Sequence, residues 1–226
     1  MKDGIIVVNK PKGMTSHDVV DYVRKKLNMR KVGHAGTLDP QATGVLVVLL
    51  GRCTKLFDKF LSFDKEYVAT MTLGVKTSTG DMEGEVLEKR NFGHINEELV
   101  KKAFMAYVGE IMQIPPMVSA LRYKGRRLYR LARAGACVLR NPRKVIIKEL
   151  RLLKFALPDV QFYLKCSRGT YVRQLAEDLA GDLDCVAYVS QIERQSIGHF
   201  NIKAALRLSE IEESKIQPFF AEINNP

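Results

Sequence analysis

The stretch HAGTLDP, residues 34–40, places a single carboxylate where it could react with a substrate. Asp39 lies in a turn rich in Gly, Thr and Pro, directly before the apolar run TGVLVVLLG, and His34 precedes it by five residues. No Ser/His/Asp or Cys/His arrangement accompanies Asp39, and no second carboxylate lies near it at a recognisable spacing. The chemistry that remains open is covalent catalysis by an Asp without a cofactor.

Two further stretches carry side chains suited to a planar ligand. DKEY places Tyr67 near the start of a predicted strand, and SRGTYVR places Tyr171 and Arg173 at a predicted strand-to-helix junction. Gly169 allows a close approach to the backbone there. One carboxylate, one guanidinium and two aromatic rings resemble the set of groups needed to handle a planar base. The plainer alternative makes Arg173 an exposed i,i+4 partner of Glu177 on the helix.

Several classes of chemistry lack their characteristic motifs. The chain has no Gly-rich phosphate loop, and its four Cys and four His are scattered without metal-ligand spacing. Hydride transfer, ATP hydrolysis and metal-assisted hydrolysis are therefore not indicated, and we expect neither a cofactor nor a metal. The chain also has no apolar run long enough for a transmembrane helix and no signal-peptide pattern, so a cytoplasmic location is expected.

The positive charge is concentrated in one segment. The formal net charge is +11, and residues 122–148 hold ten Lys and Arg but no Asp or Glu. Tyr123 and Tyr129 are interleaved with these charges. Such a segment attracts a polyanion, and its aromatic rings can stack on unpaired bases, which favours RNA as the partner. A solvated basic face without a partner is the alternative.

Hydrophobic periodicity predicts the elements that must position these residues. Strands are predicted over residues 4–10, 43–51, 65–75, 84–90, 159–169 and 185–195, and helices over 15–27, 96–109 and 170–181. Thr15 and Asp18 have the spacing of a capping box at the start of the first helix. Because strands and helices mix without strict β-α-β alternation, we expect an α+β fold with a central mixed or antiparallel sheet flanked by helices and loops.

Taken together, the motifs resemble the bacterial tRNA pseudouridine synthase B family, whose members isomerise uridine 55 in the TΨC loop of tRNA. The resemblance rests on segments that follow the family's order over most of the chain: NKPKGMTSHDVV, VGHAGTLDPQATGVL, GRCTKL, DKEY, GDMEGEV, QIPPMVSALRYKGRRLYRLARAG, CSRGTYVRQLAEDL and IERQSIGHF. It implies the pseudouridine synthase fold and an intramolecular transferase activity without a cofactor.

The resemblance also assigns roles to individual residues. Asp39 is the nucleophile, which attacks either C6 of the uracil or C1′ of the ribose, and Arg173 pairs with it. Tyr67 stacks on the base, Tyr171 and Ile192 line the uracil pocket, and His34 fills the space that the extruded base leaves. Lys10 and Pro11 support the catalytic loop.

RNA binding is assigned to a thumb-like insertion at residues 122–148. Its contacting residues are expected to be Arg122, Lys124, Arg126, Arg127 and Arg130. We expect residues 1–226 to form a single catalytic domain without the small C-terminal RNA-binding domain of many bacterial members, acting as a monomer on the T-arm stem-loop of tRNA. Two alternatives remain: an RNA-binding or tRNA-folding module with secondary catalysis, and a synthase for another RNA stem-loop.

Overall fold

The computed structural model describes residues 3–219, which contain thirteen β-strands and five α-helices. The strands are β1 (Gly4–Lys10), β2 (Val32–Ala35), β3 (Thr43–Leu50), β4 (Lys65–Leu73), β5 (Val75–Thr77), β6 (Val86–Lys89), β7 (Gly109–Gln113), β8 (Arg122–Tyr123), β9 (Arg126–Arg127), β10 (Arg143–Ala156), β11 (Asp159–Cys166), β12 (Ala187–Ile197) and β13 (Phe200–Asn201). The α-helices are α1 (Ser16–Lys26), α2 (Phe57–Ser62), α3 (Glu97–Tyr107), α4 (Leu128–Arg133) and α5 (Val172–Asp182). Short 3-10 turns cover Gly51–Leu56, Ile202–Ala204, Leu208–Glu210 and Glu213–Lys215.

The chain divides into two compact units. One comprises Met1–Tyr67 and Ile192–Pro226, of which 3–67 and 192–219 are described, and the other is Val68–Gln191. The expectation of one domain over residues 1–226 stays a prediction.

The first unit is organised around β3, which is buried along almost its whole length. Strand β1 pairs with it antiparallel from Gly4↔Leu50 to Lys10↔Gly44, and β2 pairs antiparallel on its other side. Strand β12 joins it in parallel through Glu193↔Thr43 and Arg194↔Gly44. Helix α1 packs its buried valines on this sheet and begins with the predicted capping box. The central strand and the first helix are thus confirmed.

The second unit contains the strand order β4-β11-β10-β7. Strand β11 alternates buried and partly exposed residues, as its sequence predicts. The ring of Phe104 in α3 meets that of Phe162 in β11 edge to face, with 5.8 Å between centroids. Helix α5 buries the predicted apolar stripe. Antiparallel pairs together with the parallel β3–β12 pair confirm an α+β fold with a mixed sheet.

The structure corrects several predicted boundaries. The strand predicted over 65–75 ends at Leu73, because Gly74 takes a φ of +89° and a Cβ there would lie 2.5 Å from the Phe92 ring. The next residues form β5, which pairs with β6 in a separate two-stranded sheet. Helix α3 ends at Tyr107 and α5 at Asp182. Strands β2, β7 and β10 were not predicted.

The basic segment 122–148 has little regular structure before β10. Strands β8 and β9 form a short ribbon that pairs Arg122 with Arg127 and Tyr123 with Arg126. Helix α4 follows directly and buries Leu128 and Leu131. Within residues 3–219, no helix is both long enough and apolar enough to cross a bilayer.

Candidate active site

Asp39 lies in the loop of residues 36–42, which connects β2 to β3 in the first unit. Ser16, in the first turn of α1, fixes the residue before it. The Oγ of Ser16 accepts the Leu38 amide at 2.8 Å and donates to the Leu38 carbonyl at 3.1 Å. Because both polar groups of Leu38 bond to one buried side chain, the backbone that carries Asp39 has a defined orientation.

Lys10 holds the loop on the other side of Asp39. Its side chain is fully buried, and Nζ donates to the carbonyls of Pro40 and Pro11 at 3.0 Å each and to that of Met14 at 2.5 Å. Burial lowers the pKa of Lys10 to about 8, and the nearby charge of Asp39 opposes this lowering. These bonds confirm the interpretation of Lys10 as support for the loop.

Arg194 is a third anchor, and the sequence analysis assigned it no role. Its side chain is 1% exposed, Nε donates to the Val45 carbonyl at 2.7 Å, and Nη2 donates to the Gly36 carbonyl at 2.9 Å. At Gly44 a Cβ would lie 2.3 Å from the backbone oxygen of Arg194, so only glycine lets β12 approach β3 this closely. Because Arg194 lies between Glu193 and Gln195, the polar run in β12 gave no signal that this one side chain is buried.

His34 lies in β2, the strand that directly precedes the loop of Asp39. Its Nδ1 is buried and has no hydrogen-bond partner among residues 3–219. Burial, with smaller effects of the positive charges of Arg194 and His17, lowers the pKa of His34 to about 4. The imidazole is therefore neutral at physiological pH, as a ring that fills an apolar space should be.

The lowered pKa of His34 predicts acid-sensitive stability. Between pH 6.5 and 4 the unfolded chain protonates this ring and the folded chain does not, so the free energy of unfolding falls as pH falls through that window. The loss is no more than about 3 kcal/mol. Urea unfolding of the wild type and of His34→Gln from pH 4.5 to 7.5 measures it. The stability difference between the two proteins should change across this range.

His199, whose ring is exposed, provides the matched control. His199→Gln removes an imidazole from the same unit but leaves the buried ring of His34 in place. If His34→Gln and the wild type lost stability in parallel, His34 would not be held neutral.

Tyr67 and Ile192 also belong to the first unit. Tyr67 is 8% exposed in β4, and Ile192 is partly exposed in β12 next to the parallel pair Glu193↔Thr43. The Nζ of Lys65, two residues before Tyr67, donates to the carbonyls of Leu61 and Phe63 at the end of α2. This buried lysine fixes the start of the strand that carries Tyr67.

Tyr171 is the N-cap residue of α5 in the second unit, and the buried side chain of Gln113 holds its backbone. The Tyr171 amide donates to Oε1 of Gln113 at 2.8 Å, and Nε2 donates back to the Tyr171 carbonyl at 3.1 Å. With both backbone groups bonded to Gln113, the partly exposed ring of Tyr171 starts from a fixed position. Sequence reasoning missed Gln113, because a single amide in an edge strand carries no pattern.

Arg173 is 4% exposed in the first turn of α5. Its Nη1 donates to the carbonyl of Thr79, and its Nη2 donates to that of Val118 at 2.9 Å. The Oδ2 of Asp81 lies 3.8 Å from Nη1. The alternative of an exposed helix-surface partner for Glu177 is therefore wrong, because this guanidinium is buried among loop carbonyls.

Asp81 is a second residue that the sequence analysis left without a role. It is 8% exposed, and its Oδ1 accepts the Thr79 hydroxyl at 2.5 Å and the Glu83 amide at 3.1 Å. The same carboxylate thus orders the turn whose carbonyl receives Arg173. Its signal was the position of the Asp in GDMEG, a segment that the family resemblance included.

The first unit thus carries Asp39, His34, Tyr67 and Ile192, and the second carries Tyr171 and Arg173. The pairing of Asp39 with Arg173 stays a prediction. The five expected RNA-binding residues of the basic segment, Arg122, Lys124, Arg126, Arg127 and Arg130, are all exposed. Among them, the guanidinium of Arg130 lies 6.0 Å from the ring centroid of Tyr129.

Comparison with known proteins identifies the family. Residues 24–172 match the model of the TruB family pseudouridylate synthase N-terminal domain. The chain is 46% identical to tRNA pseudouridine synthase B of Endomicrobium trichonymphae over 93% of this chain and 91% of that protein. It is 48% identical to the protein of the same name from Geotalea uraniireducens over 92% of this chain and 67% of that one.

The fold of this chain is also similar to that of solved structures that contain Cbf5. A Cbf5-Nop10-Gar1 complex matches with a TM-score of 0.75 and 30% identity, over 95% of this chain and 60% of that one. The archaeal box H/ACA sRNP Nop10-Cbf5 complex matches with a TM-score of 0.68 and 27% identity, over 92% of this chain and 52% of that one. The chain thus spans just over half of the length of these structural relatives. The expected pseudouridine synthase fold is confirmed, and the chain belongs to the TruB family of pseudouridylate synthases.

Proposed function

We propose that this protein isomerises uridine 55 in the TΨC loop of tRNA to pseudouridine, with Asp39 as the nucleophile and without a cofactor. The proposal rests on one observation above all: Asp39 occupies a loop inside the region that matches the family, and three buried side chains from distant elements hold that loop. A buried scaffold of this kind is more than an ordinary turn residue requires.

The chemistry conserves all atoms of the nucleoside. The carboxylate of Asp39 adds either to C6 of the uracil or to C1′ of the ribose, and the N1–C1′ bond breaks. The base then turns, C5 bonds to C1′, and the proton on C5 is lost while N1 regains one. The carboxylate leaves at the end, so the step is covalent catalysis that consumes no second substrate.

The other candidate residues receive roles in handling the base. We propose that Arg173 supplies the positive charge that stabilises the ionised carboxylate of Asp39. Tyr67 stacks on the extruded uracil, while Tyr171 and Ile192 line its pocket. His34, neutral and uncharged, fills the space that the base leaves, which lowers the cost of base flipping, itself a few kcal/mol.

The experiment that tests the whole proposal uses an unmodified tRNA transcript. The purified protein is incubated with it, and the isomerised nucleotide is mapped by carbodiimide labelling and primer extension. A single new pseudouridine at position 55 supports the proposal. Modification elsewhere would indicate a synthase for another stem-loop, and tight binding without any product would indicate an RNA-binding module.

We propose that the exposed Lys and Arg side chains of residues 122–148 provide most of the binding affinity for tRNA. Replacing Arg126, Arg127 and Arg130 together with Gln should weaken binding, because each phosphate contact releases counterions. The slope of log K against log salt should fall in magnitude by about 2 to 3. Filter binding at 50 to 300 mM salt measures the slope.

A matched triple variant controls for net charge. Lys89, Lys102 and Lys154 are exposed and lie outside the basic segment. Their replacement with Gln should leave the slope within about 1 of the wild-type value. Equal slopes for the two triple variants would contradict the proposal that the basic segment makes most of the phosphate contacts to tRNA.

With tRNA as the substrate, we propose that the protein acts in the cytoplasm. One T arm presents one target uridine, so a monomer suffices for the reaction. Sedimentation of the protein alone and with one equivalent of tRNA tests the monomer.

A further inference from the structure

Gln113, the last residue of β7, is a buried amide that bonds to the main chain of another element. It is 2% exposed. Its Oε1 accepts the Tyr171 N–H at 2.8 Å, and its Nε2 donates to the Tyr171 carbonyl at 3.1 Å. Burying an amide costs free energy unless its polar groups are bonded, and an apolar residue would fill this space without that cost. The two bonds to Tyr171 therefore account for an amide at this position.

These two bonds hold the start of α5. Tyr171 is the N-cap residue of this helix, and its side chain makes no capping hydrogen bond. Its carbonyl also accepts the Leu175 amide at 3.0 Å, within the first turn of the helix. A helix start without a side-chain cap depends on hydrogen bonds from elsewhere. Here the side chain of Gln113 in β7 supplies them.

The same stretch of chain holds α5 at a second point. Val118 lies five residues after Gln113, and its carbonyl accepts the Nη2 of Arg173 at 2.9 Å. Arg173 follows Tyr171 by two residues, in the first turn of α5. Residues 113–118 thus fix the backbone of Tyr171 and the guanidinium of Arg173 together. A shift at the start of the helix would move both side chains, because one backbone carries them.

We propose that Gln113 is a positioning residue for the isomerisation, which acts by fixing where Tyr171 and Arg173 meet the target uracil. The proposal rests on the proposed function, because that function gives Tyr171 and Arg173 their roles at the uridine. A role in the sheet alone would not need the side-chain amide, since the pairing of Gln113 with Arg143 of β10 uses main-chain groups. We therefore expect changes to the amide to lower kcat and to leave the Kd for tRNA almost unchanged.

Gln113→Glu tests the proposal through the pH dependence of kcat. A protonated Glu offers one carbonyl acceptor and one O–H donor, as the amide does, whereas an ionised Glu only accepts and repels the Tyr171 carbonyl. Burial favours the protonated form, while the positive charges of Arg143 and Arg173 favour the ionised one. Relative to the wild type at the same pH, kcat should fall about 100-fold at pH 8 and recover to within about fivefold at pH 5. Steady-state release of tritium from C5-labelled uridine, at saturating tRNA, measures kcat.

Gln113→Met removes both bonds and keeps nearly the same volume. Its kcat should fall by about the same factor at pH 5 and at pH 8, with a Kd for tRNA within about threefold of the wild type by filter binding. Urea unfolding of each variant shows whether the protein is folded under the assay conditions. If Gln113→Met does not fold, the pH profile of Gln113→Glu alone decides.

Gln161→Glu is the matched control, since Gln161 is partly exposed on β11 in the same unit. Its kcat should stay within about twofold of the wild type at both pH values. The role of Gln113 is refuted if Gln113→Glu is equally impaired at pH 5 and at pH 8, or if Gln113→Met keeps full kcat. A wild type that forms no pseudouridine at either pH would instead refute the proposed function.

Discussion

Replacing Asp39 with Asn is expected to lower the rate of pseudouridine formation by at least about 1,000-fold, because in the proposed mechanism the amide cannot form the covalent adduct. Asn has nearly the same shape, and backbone groups of Leu38, Pro40 and Gly36 hold the loop. Binding of tRNA should therefore change by no more than about threefold. Single-turnover tritium release and filter binding measure the two effects separately.

The matched control is Asp58→Asn, which removes an exposed carboxylate from α2 in the same unit. Its rate should stay within about twofold of the wild type. Product from a preparation of Asp39→Asn that is free of wild-type enzyme, at more than about 0.1% of the normal rate, would show that Asp39 is not the nucleophile.

The second large effect is expected at Arg173. Replacement with Lys keeps the positive charge but removes the planar fork that donates to the carbonyls of Thr79 and Val118. An ammonium cannot reach both acceptors from the same position, so one carbonyl loses its partner and the charge shifts. We expect kcat to fall by about 100-fold while the Kd for tRNA changes little. The steady-state rate of tritium release at saturating tRNA measures kcat.

Arg168→Lys serves as its control, because Arg168 is exposed five residues earlier in the same segment. Urea unfolding of both variants separates a catalytic loss from a loss of folded protein. Full activity in Arg173→Lys would mean that the charge alone, without the fixed geometry, is enough.

Regular elements were the part of the fold that sequence patterns could predict. Strand β11 alternates so strictly that its buried face follows from residue type alone. The start of α1 follows from the Thr15–Asp18 capping box. Strands β7 and β10 escaped prediction because β7 exposes Met112, and because β10 places the exposed Ile146 between the buried Val145 and Ile147, so its residue types do not alternate there. Their pairing to each other defines them more than their own patterns do.

In the candidate site, too, local patterns identified some residues, while contacts between distant residues could not be predicted. The turn before the buried strand made Asp39 a candidate, and the family resemblance gave it the role of nucleophile, which stays a prediction. The side chains that hold its loop were harder to recognise, because they bond to main-chain carbonyls at distant positions. Arg194 reaches Gly36 across 158 residues of sequence, and Lys10 reaches Pro40 across 30. A carbonyl acceptor is present at every residue, so no side-chain pattern marks the partner.

The anchoring of the Asp39 loop through main-chain oxygens separates its shape from its chemistry. Ser16, Lys10 and Arg194 hold the loop through main-chain groups of Leu38, Pro40 and Gly36. A thiol or an imidazole engineered at position 39 would therefore sit on a loop that the same main-chain bonds already hold. During evolution, likewise, the side chain at position 39 can change while these bonds to main-chain groups are kept.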